Sequence, residues 1–212
     1  AHGARVLVTG RDPAKGGKAV ADLRREATGD GDAELYTADF ASQRAVRDLA
    51  ARIDGDVDRL DAFVSNAGAW FPDPTLTEDG VEVTFAVNHL APFLLVNLLA
   101  DRLRETAATG EARVVVVSSE LHRNGRMDFR KLRSVHDVTG HGAYARSKLA
   151  NVLFASEAAD RLRGTGVTVN CLHPGAVPGT SLSREYGGAV RAAVSVLDAL
   201  PDSLTSRFVR TA

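Results

Sequence analysis

The sequence predicts a doubly wound α/β fold: a mostly parallel sheet between two helical layers, three layers αβα in all. Three observations carry that prediction. Short β-branched runs alternate with longer segments of helical period. Val114 to Val117 is continuously apolar, the pattern of a parallel strand covered on both faces. The residues able to do chemistry fall just after the strand runs, where open α/β sheets bind ligands. A length of 212 residues, with 44% hydrophobic and 25% charged residues, suits one globular domain over residues 1–212 and argues against disorder.

The strands are expected at Arg5–Thr9, Glu34–Ala38, Leu60–Ser65, Arg113–Ser118 and Val167–Leu172. Helical periodicity covers Lys18–Ala27, Ser42–Ile53, Val81–Thr106 and Gly142–Arg163, with Ser42 placed as an N-cap. A further helical pattern runs from Arg184 to Leu200. Ala69 to Thr77 contains two prolines and reads as a surface loop, and Glu120 to His141 is a long excursion at a strand's carboxyl end. Excursions so placed usually serve function.

A formal charge of -1 at pH 7 produces no field that would gather nucleic acid or an anionic membrane, so a small ligand is the expected partner. Cys171 is the single cysteine, which excludes an intramolecular disulfide; a buried strand position is expected for it. No apolar run approaches 18 residues. These features lead us to expect a soluble, cytoplasmic protein. The first residues show neither a secretory signal nor an initiator Met, so an upstream part is expected that was removed, processed or not included in this sequence.

Tyr144 and Lys148 stand four apart in a helical segment, one turn apart on one face. A phenol with a pKa of about 10 is a poor base at neutral pH, but a nearby ammonium favours the phenolate, and the pair could then exchange a proton with a substrate hydroxyl or carbonyl. Chance would produce this spacing about 0.06 times in such a chain, and the plain alternative is a solvated helix face. Asn66-Ala67-Gly68 follows one strand, Ser118-Ser119 closes the next, and Pro174-Gly175 follows the last. Asn88, inside an apolar helical stretch, needs a partner.

In that order and at those strand ends, Asn66-Ala67-Gly68, Asn88, Ser119, Tyr144-x-x-x-Lys148 and Pro174-Gly175 resemble the short-chain dehydrogenase/reductase family. Ser118 to His122, Tyr144 to Asn151 and His173-Pro174-Gly175 resemble its retinol dehydrogenase-like branch. The resemblance implies a Rossmann-like domain with Tyr144 as general acid/base, Lys148 as its electrostatic partner, Ser119 as anchor of the substrate oxygen and Asn88 in a proton relay. Asp39, Asn66, Ala67, Gly68, Tyr144, Lys148, Pro174, Gly175, Val177 and Thr180 would touch the cofactor. The substrate would be a small alcohol or carbonyl compound, and a homodimer follows by analogy alone.

In dinucleotide folds a carboxylate at the end of the adenine-side strand binds the ribose 2′-OH of NAD, and an arginine there accommodates the 2′-phosphate of NADP. Gly10 occupies the acidic position and Arg11 follows it, so NADP(H) is the expected cofactor. Two patterns mislead. The family's phosphate loop, Thr-Gly-x-x-x-Gly-x-Gly, is imitated from Thr9, but Ala14 stands where a glycine belongs and only Gly16 fits. Gly17-Lys18 imitates a P-loop, but Asp12 and Ala19 replace its glycine and hydroxyl residue.

By the family's strand order, the glycine-loop strand belongs between Leu60–Ser65 and Arg5–Thr9. Its absence, like that of a C-terminal strand beyond Ala212, would leave unpaired edges and no amide cradle for the pyrophosphate. One more strand-helix unit, about 25–30 residues, is therefore expected upstream. Should the deletion be real, the alternative is a non-catalytic NADP-binding regulatory or interaction protein; a serine hydrolase lacks its Gly-x-Ser-x-Gly elbow. His136 and His141 flank a loop containing Asp137, but no second ligand cluster supports a metal site there.

Overall fold

Asp12 opens the first helix by accepting the amides of Ala14 and Lys15, and Pro13 occupies the first turn, where a missing N–H costs nothing. These signals start α1 (Pro13–Glu26) five residues earlier than the periodicity predicts. It joins β1 (Arg5–Gly10) to β2 (Asp32–Thr37), which pair in parallel from Arg5↔Asp32 to Gly10↔Thr37. Gly16 permits close packing: a Cβ there would lie 2.5 Å from Leu35 Cδ1. The computed structural model describes residues 3–136 and 138–175. The expected helix Arg184–Leu200 and the cofactor contacts Val177 and Thr180 lie outside them.

Ser42 caps α2 (Gln43–Asp56) as expected, accepting the amide of Ala45 at 3.4 Å. The helix buries Val46, Leu49, Ala50 and Ile53, one stripe at helical spacing, against Ala91, Leu95 and Leu99. Each of the larger side chains, Val46, Leu49, Ile53, Leu95 and Leu99, contributes roughly 1.5–3 kcal/mol on leaving water.

A second sheet holds β3 (Ala62–Ser65), β4 (Ala112–Val117) and β5 (Val167–Leu172), all parallel in that order. Among the described residues it does not pair with β1, the separation expected from the family's strand order. Leu7, Phe63, Val64 and Leu95 help to line a slot of about 100 Å³ between the sheets. Val64, 58% exposed, and Val6, 40% exposed, stand on strands that border it. The β4 run is also less symmetrical than its composition suggests. Val114 and Val116 are buried against Val96, Leu103 and Ala155, whereas Val115 and Val117 are half-buried.

The single helix expected over Val81–Thr106 is broken. Glu82 caps α3 (Val83–Phe85) by accepting two amides, a π-helical turn follows at Ala86–Leu90, and α4 spans Ala91–Leu98. α5 (Ala100–Thr109) then departs at 54° across Leu99. Among the described residues no single helix is long and apolar enough to cross a membrane. The excursion after β4 carries two 3-10 turns, Glu120–Asn124 and Phe129–Leu132, and Thr139 caps α6 (Gly140–Arg161). Cys171 departs from expectation: it lies on β5 but is exposed, because β5 is the outer strand of its sheet among the described residues.

Candidate active site

α6 presents Tyr144, Ser147, Lys148 and Asn151 at helical spacing, all buried, toward the carboxyl ends of β3 and β4. Lys148 Nζ lies 5.6 Å from the Tyr144 ring centroid and donates to the Val117 carbonyl at 3.0 Å. Burial lowers the Lys148 pKa from the usual 10.5 to about 8, and proximity to Cys171 opposes that shift slightly. Desolvation in turn pushes the Cys171 thiol up, while the Lys148 charge pulls it down.

Asn88 meets this helix from the π-turn. Its Oδ1 accepts the Ala69 amide at 2.8 Å, and its Nδ2 donates to the Ala69 carbonyl at 2.9 Å and to Ser147 Oγ at 3.2 Å. The Ser147 hydroxyl donates to the Tyr144 carbonyl at 2.8 Å. The fully buried amide thus ties the loop after β3 to the helix carrying Tyr144. Gly68 keeps the approach open: a Cβ there would lie 3.2 Å from Lys148 Nζ, a tight contact.

The two serines divide their work. Ser118 is buried and donates to the Lys148 carbonyl at 2.8 Å, fixing β4 to α6. Ser119, half-buried, accepts the Leu121 amide at 3.3 Å, and its hydroxyl keeps a proton to donate. Trp70 stands against Tyr144 with ring centroids 5.5 Å apart, and edge-on to His141 at 5.6 Å.

Arg11 and Asp39, exposed at the ends of β1 and β2, line a cleft of about 220 Å³ with Gly10, Ala67, Gly68 and Phe71. The cleft therefore runs from the β1–β2 sheet to the loop beside Lys148. Asn66 and Ala67 also border the slot between the sheets. Pro174 and Gly175 follow β5, exposed, and Gly175 adopts φ +74°, a conformation suited to glycine. Among the described residues no group of three His, Cys, Asp or Glu side chains could hold a metal.

Sequence reasoning missed Ser147, Asn151, His89 and the Trp70–Tyr144 contact. Ser147 and Asn151 stand three and seven residues after Tyr144, so helical spacing marked both; polar residues on a buried face were the available signal.

A family profile described as short chain dehydrogenase matches residues 1–189. The chain belongs to the short-chain dehydrogenase family. Within it the chain falls in the retinol dehydrogenase-like branch. It is 44% identical over 191 residues to retinol dehydrogenase 14 of Mus musculus, across 86% of this chain and 56% of that protein. It is 40% identical over 187 residues to human retinol dehydrogenase 13, across 88% of this chain and 55% of that protein. The chain thus spans about half the length of the curated relatives it matches.

Two solved short-chain dehydrogenase folds match closely. A metagenomic short-chain oxidoreductase in complex with NADP gives a TM-score of 0.64 at 26% identity, covering 94% of this chain and 81% of its own. The Pseudomonas aeruginosa RhlG/NADP active-site complex gives 0.68 at 25% identity, covering 91% and 71%.

Proposed function

We propose that this protein is an NADP(H)-dependent oxidoreductase that interconverts an alcohol and a ketone or aldehyde, with Tyr144 as general acid/base. The observation that carries this reading is the buried Tyr144–Lys148 pair, with the Lys148 ammonium 5.6 Å from the phenol ring. A protonated Lys148 favours the phenolate, so Tyr144 can release its proton to a carbonyl oxygen and retake one from an alcohol. Ser119 donates a hydrogen bond to that oxygen, and Asn88 holds the Ala69 backbone and Ser147 in register with Tyr144.

The residues present fit a dinucleotide at its two ends. Arg11 and Asp39 stand where the adenosine half would lie, and the Cβ-free position at Gly68 leaves room beside Lys148 for the nicotinamide ribose. No glycine-rich amide cradle for the pyrophosphate is found among the described residues. When bound, the nicotinamide supplies or accepts the hydride at the substrate carbon. Arg11 after Gly10 favours NADP(H), and the NADP complexes of the metagenomic oxidoreductase and RhlG agree with that choice.

The test is an NADPH-oxidation screen against aliphatic, aromatic, steroidal and retinoid carbonyls, with Tyr144→Phe as the blank. Turnover with NADPH well above NADH is expected; a clear NADH preference overturns the cofactor choice. The similarity to retinol dehydrogenases 13 and 14 supports lipophilic alcohols and carbonyls as substrates. The proposal includes one catalytic domain, assembly as a homodimer and a cytoplasmic location, to be checked by sedimentation and cell fractionation.

A further inference from the structure

The π-helical turn that aims Asn88 is tied to α6 through its own backbone. Four residues after Asn88, where an α-helical ladder would take its donor, the chain places Pro92, which has no N–H. The Asn88 carbonyl accepts Asn151 Nδ2 from α6, at 3.1 Å. A carbonyl can only accept, so this contact settles the Asn151 amide: Nδ2 faces Asn88 and Oδ1 faces His89. The facing His89 Nδ1 lies 2.9 Å from Oδ1 and must therefore carry a hydrogen. The His89 ring is held by Phe85, Phe93 and Phe154, at centroid distances of 4.9, 5.8 and 6.3 Å.

We propose that Asn151 and His89 are positioning residues: His89 orients the Asn151 amide, and Asn151 caps the π-turn carbonyl so that Asn88 keeps its grip on Ala69 and Ser147. This rests on the reading of Asn88 and Tyr144 as parts of one reaction site, and it assigns a purpose to two polar groups that touch no reacting atom. Asn151 is 2% exposed, so an amide turned the wrong way would set its own oxygen against the Asn88 oxygen with no water to relieve it. Burial holds the His89 imidazole below its usual pKa, which keeps it neutral with Nδ1–H as the donor. The polar chain thus runs from His89 through Asn151 and Asn88 to Ala69 at one end and Tyr144 at the other.

Three variants of the intact protein separate positioning from packing. His89→Phe keeps the aromatic cluster and removes the donor; His89→Asn returns a donor near Nδ1 and gives up the ring; Asn151→Asp keeps the acceptor for His89 and turns the other oxygen on Asn88. We expect His89→Phe and Asn151→Asp to lower kcat by about tenfold to 10²-fold with KM for NADPH within about twofold. His89→Asn should retain kcat despite a lower Tm, so that turnover and stability rank the two His89 variants in opposite order. Amide hydrogen exchange at Ala69, whose N–H Asn88 holds, should accelerate about tenfold in His89→Phe and Asn151→Asp, and not in His89→Asn. Wild-type kcat and wild-type Ala69 exchange in His89→Phe, or a His89→Asn as impaired as His89→Phe, overturns the proposal. If Tyr144→Phe turns over as wild type, the functional reading fails, and Ala69 exchange still decides whether His89 and Asn151 hold the turn.

Discussion

The two halves of the molecule bury different things. From β1 to the end of α2, the buried side chains are apolar, with Tyr36 the one that carries a polar tip, bonded to Asp56 at 3.0 Å. From β3 onward, every buried polar or charged residue among those described appears: Glu82, Thr84, Asn88, Ser118, Arg146, Ser147, Lys148 and Asn151 among them. The first half carries the proposed cofactor contacts, Arg11 and Asp39, on an exposed rim, open to a hydrated phosphate or base. The second half holds its polar groups out of water, where a charge acts on a phenol with little screening. Under the proposed function, recognition tolerates solvent in one half, and proton transfer in the other depends on excluding it.

The sharpest attempt to break this contrast is Tyr144→Phe. Turnover should fall about 10²-fold or more while Tm moves little, because the ring is kept and only the proton donor is lost. Unchanged turnover on a saturating carbonyl assay would end the division of labour. Lys148 comes next. Its lowered folded-state value means that between about 8 and the usual 10.5 the unfolded chain binds the extra proton, so stability rises with pH across that window and is depressed below it. Lys148→Met should therefore stabilise the free protein at pH 7 by up to about 3 kcal/mol, and should abolish the rise, while destroying activity. Urea unfolding at several pH values reads both effects. In the wild type, kcat/KM should decline above about pH 8 as the ammonium is lost.

In the first half the effects should be gentler and confined to binding. Arg11→Ala is expected to raise KM for NADPH roughly tenfold, with kcat and KM for NADH nearly unchanged. A kcat loss in that variant would mean that the exposed rim participates in chemistry. Smallest of all is the Arg24–Asp32 pair, 2.8 Å apart with both partners about half-exposed. Breaking it by Arg24→Gln should cost less than about 1 kcal/mol in chemical denaturation.

The sequence exposed the strands well because β-branched runs and strand-end motifs are local signals. The split between β1 and β3 was expected too, but from the strand order of the family the motifs resemble and not from any local signal. The break in the Val81–Thr106 pattern was legible only in part. Apolar periodicity continues through Ala86–Leu90; Pro92 was the local signal against a regular ladder, and the bonds of Asn88 to Ala69 and Asn151 hold the wider turn. The expected start at Lys18 came five residues late, since it did not use Asp12-Pro13, a local start signal, to begin α1. Cys171 fell outside because burial depends on what covers the outer strand, which a strand pattern alone does not specify.

Trp70 is the chain's one tryptophan, and it lies on the ring of Tyr144. The protein therefore carries its own optical probe at the proposed point of proton transfer. Its emission should respond to ligand entry, to the charge on the neighbouring phenol and to any slackening of the Ala69 loop, so the site can be followed in real time without a label.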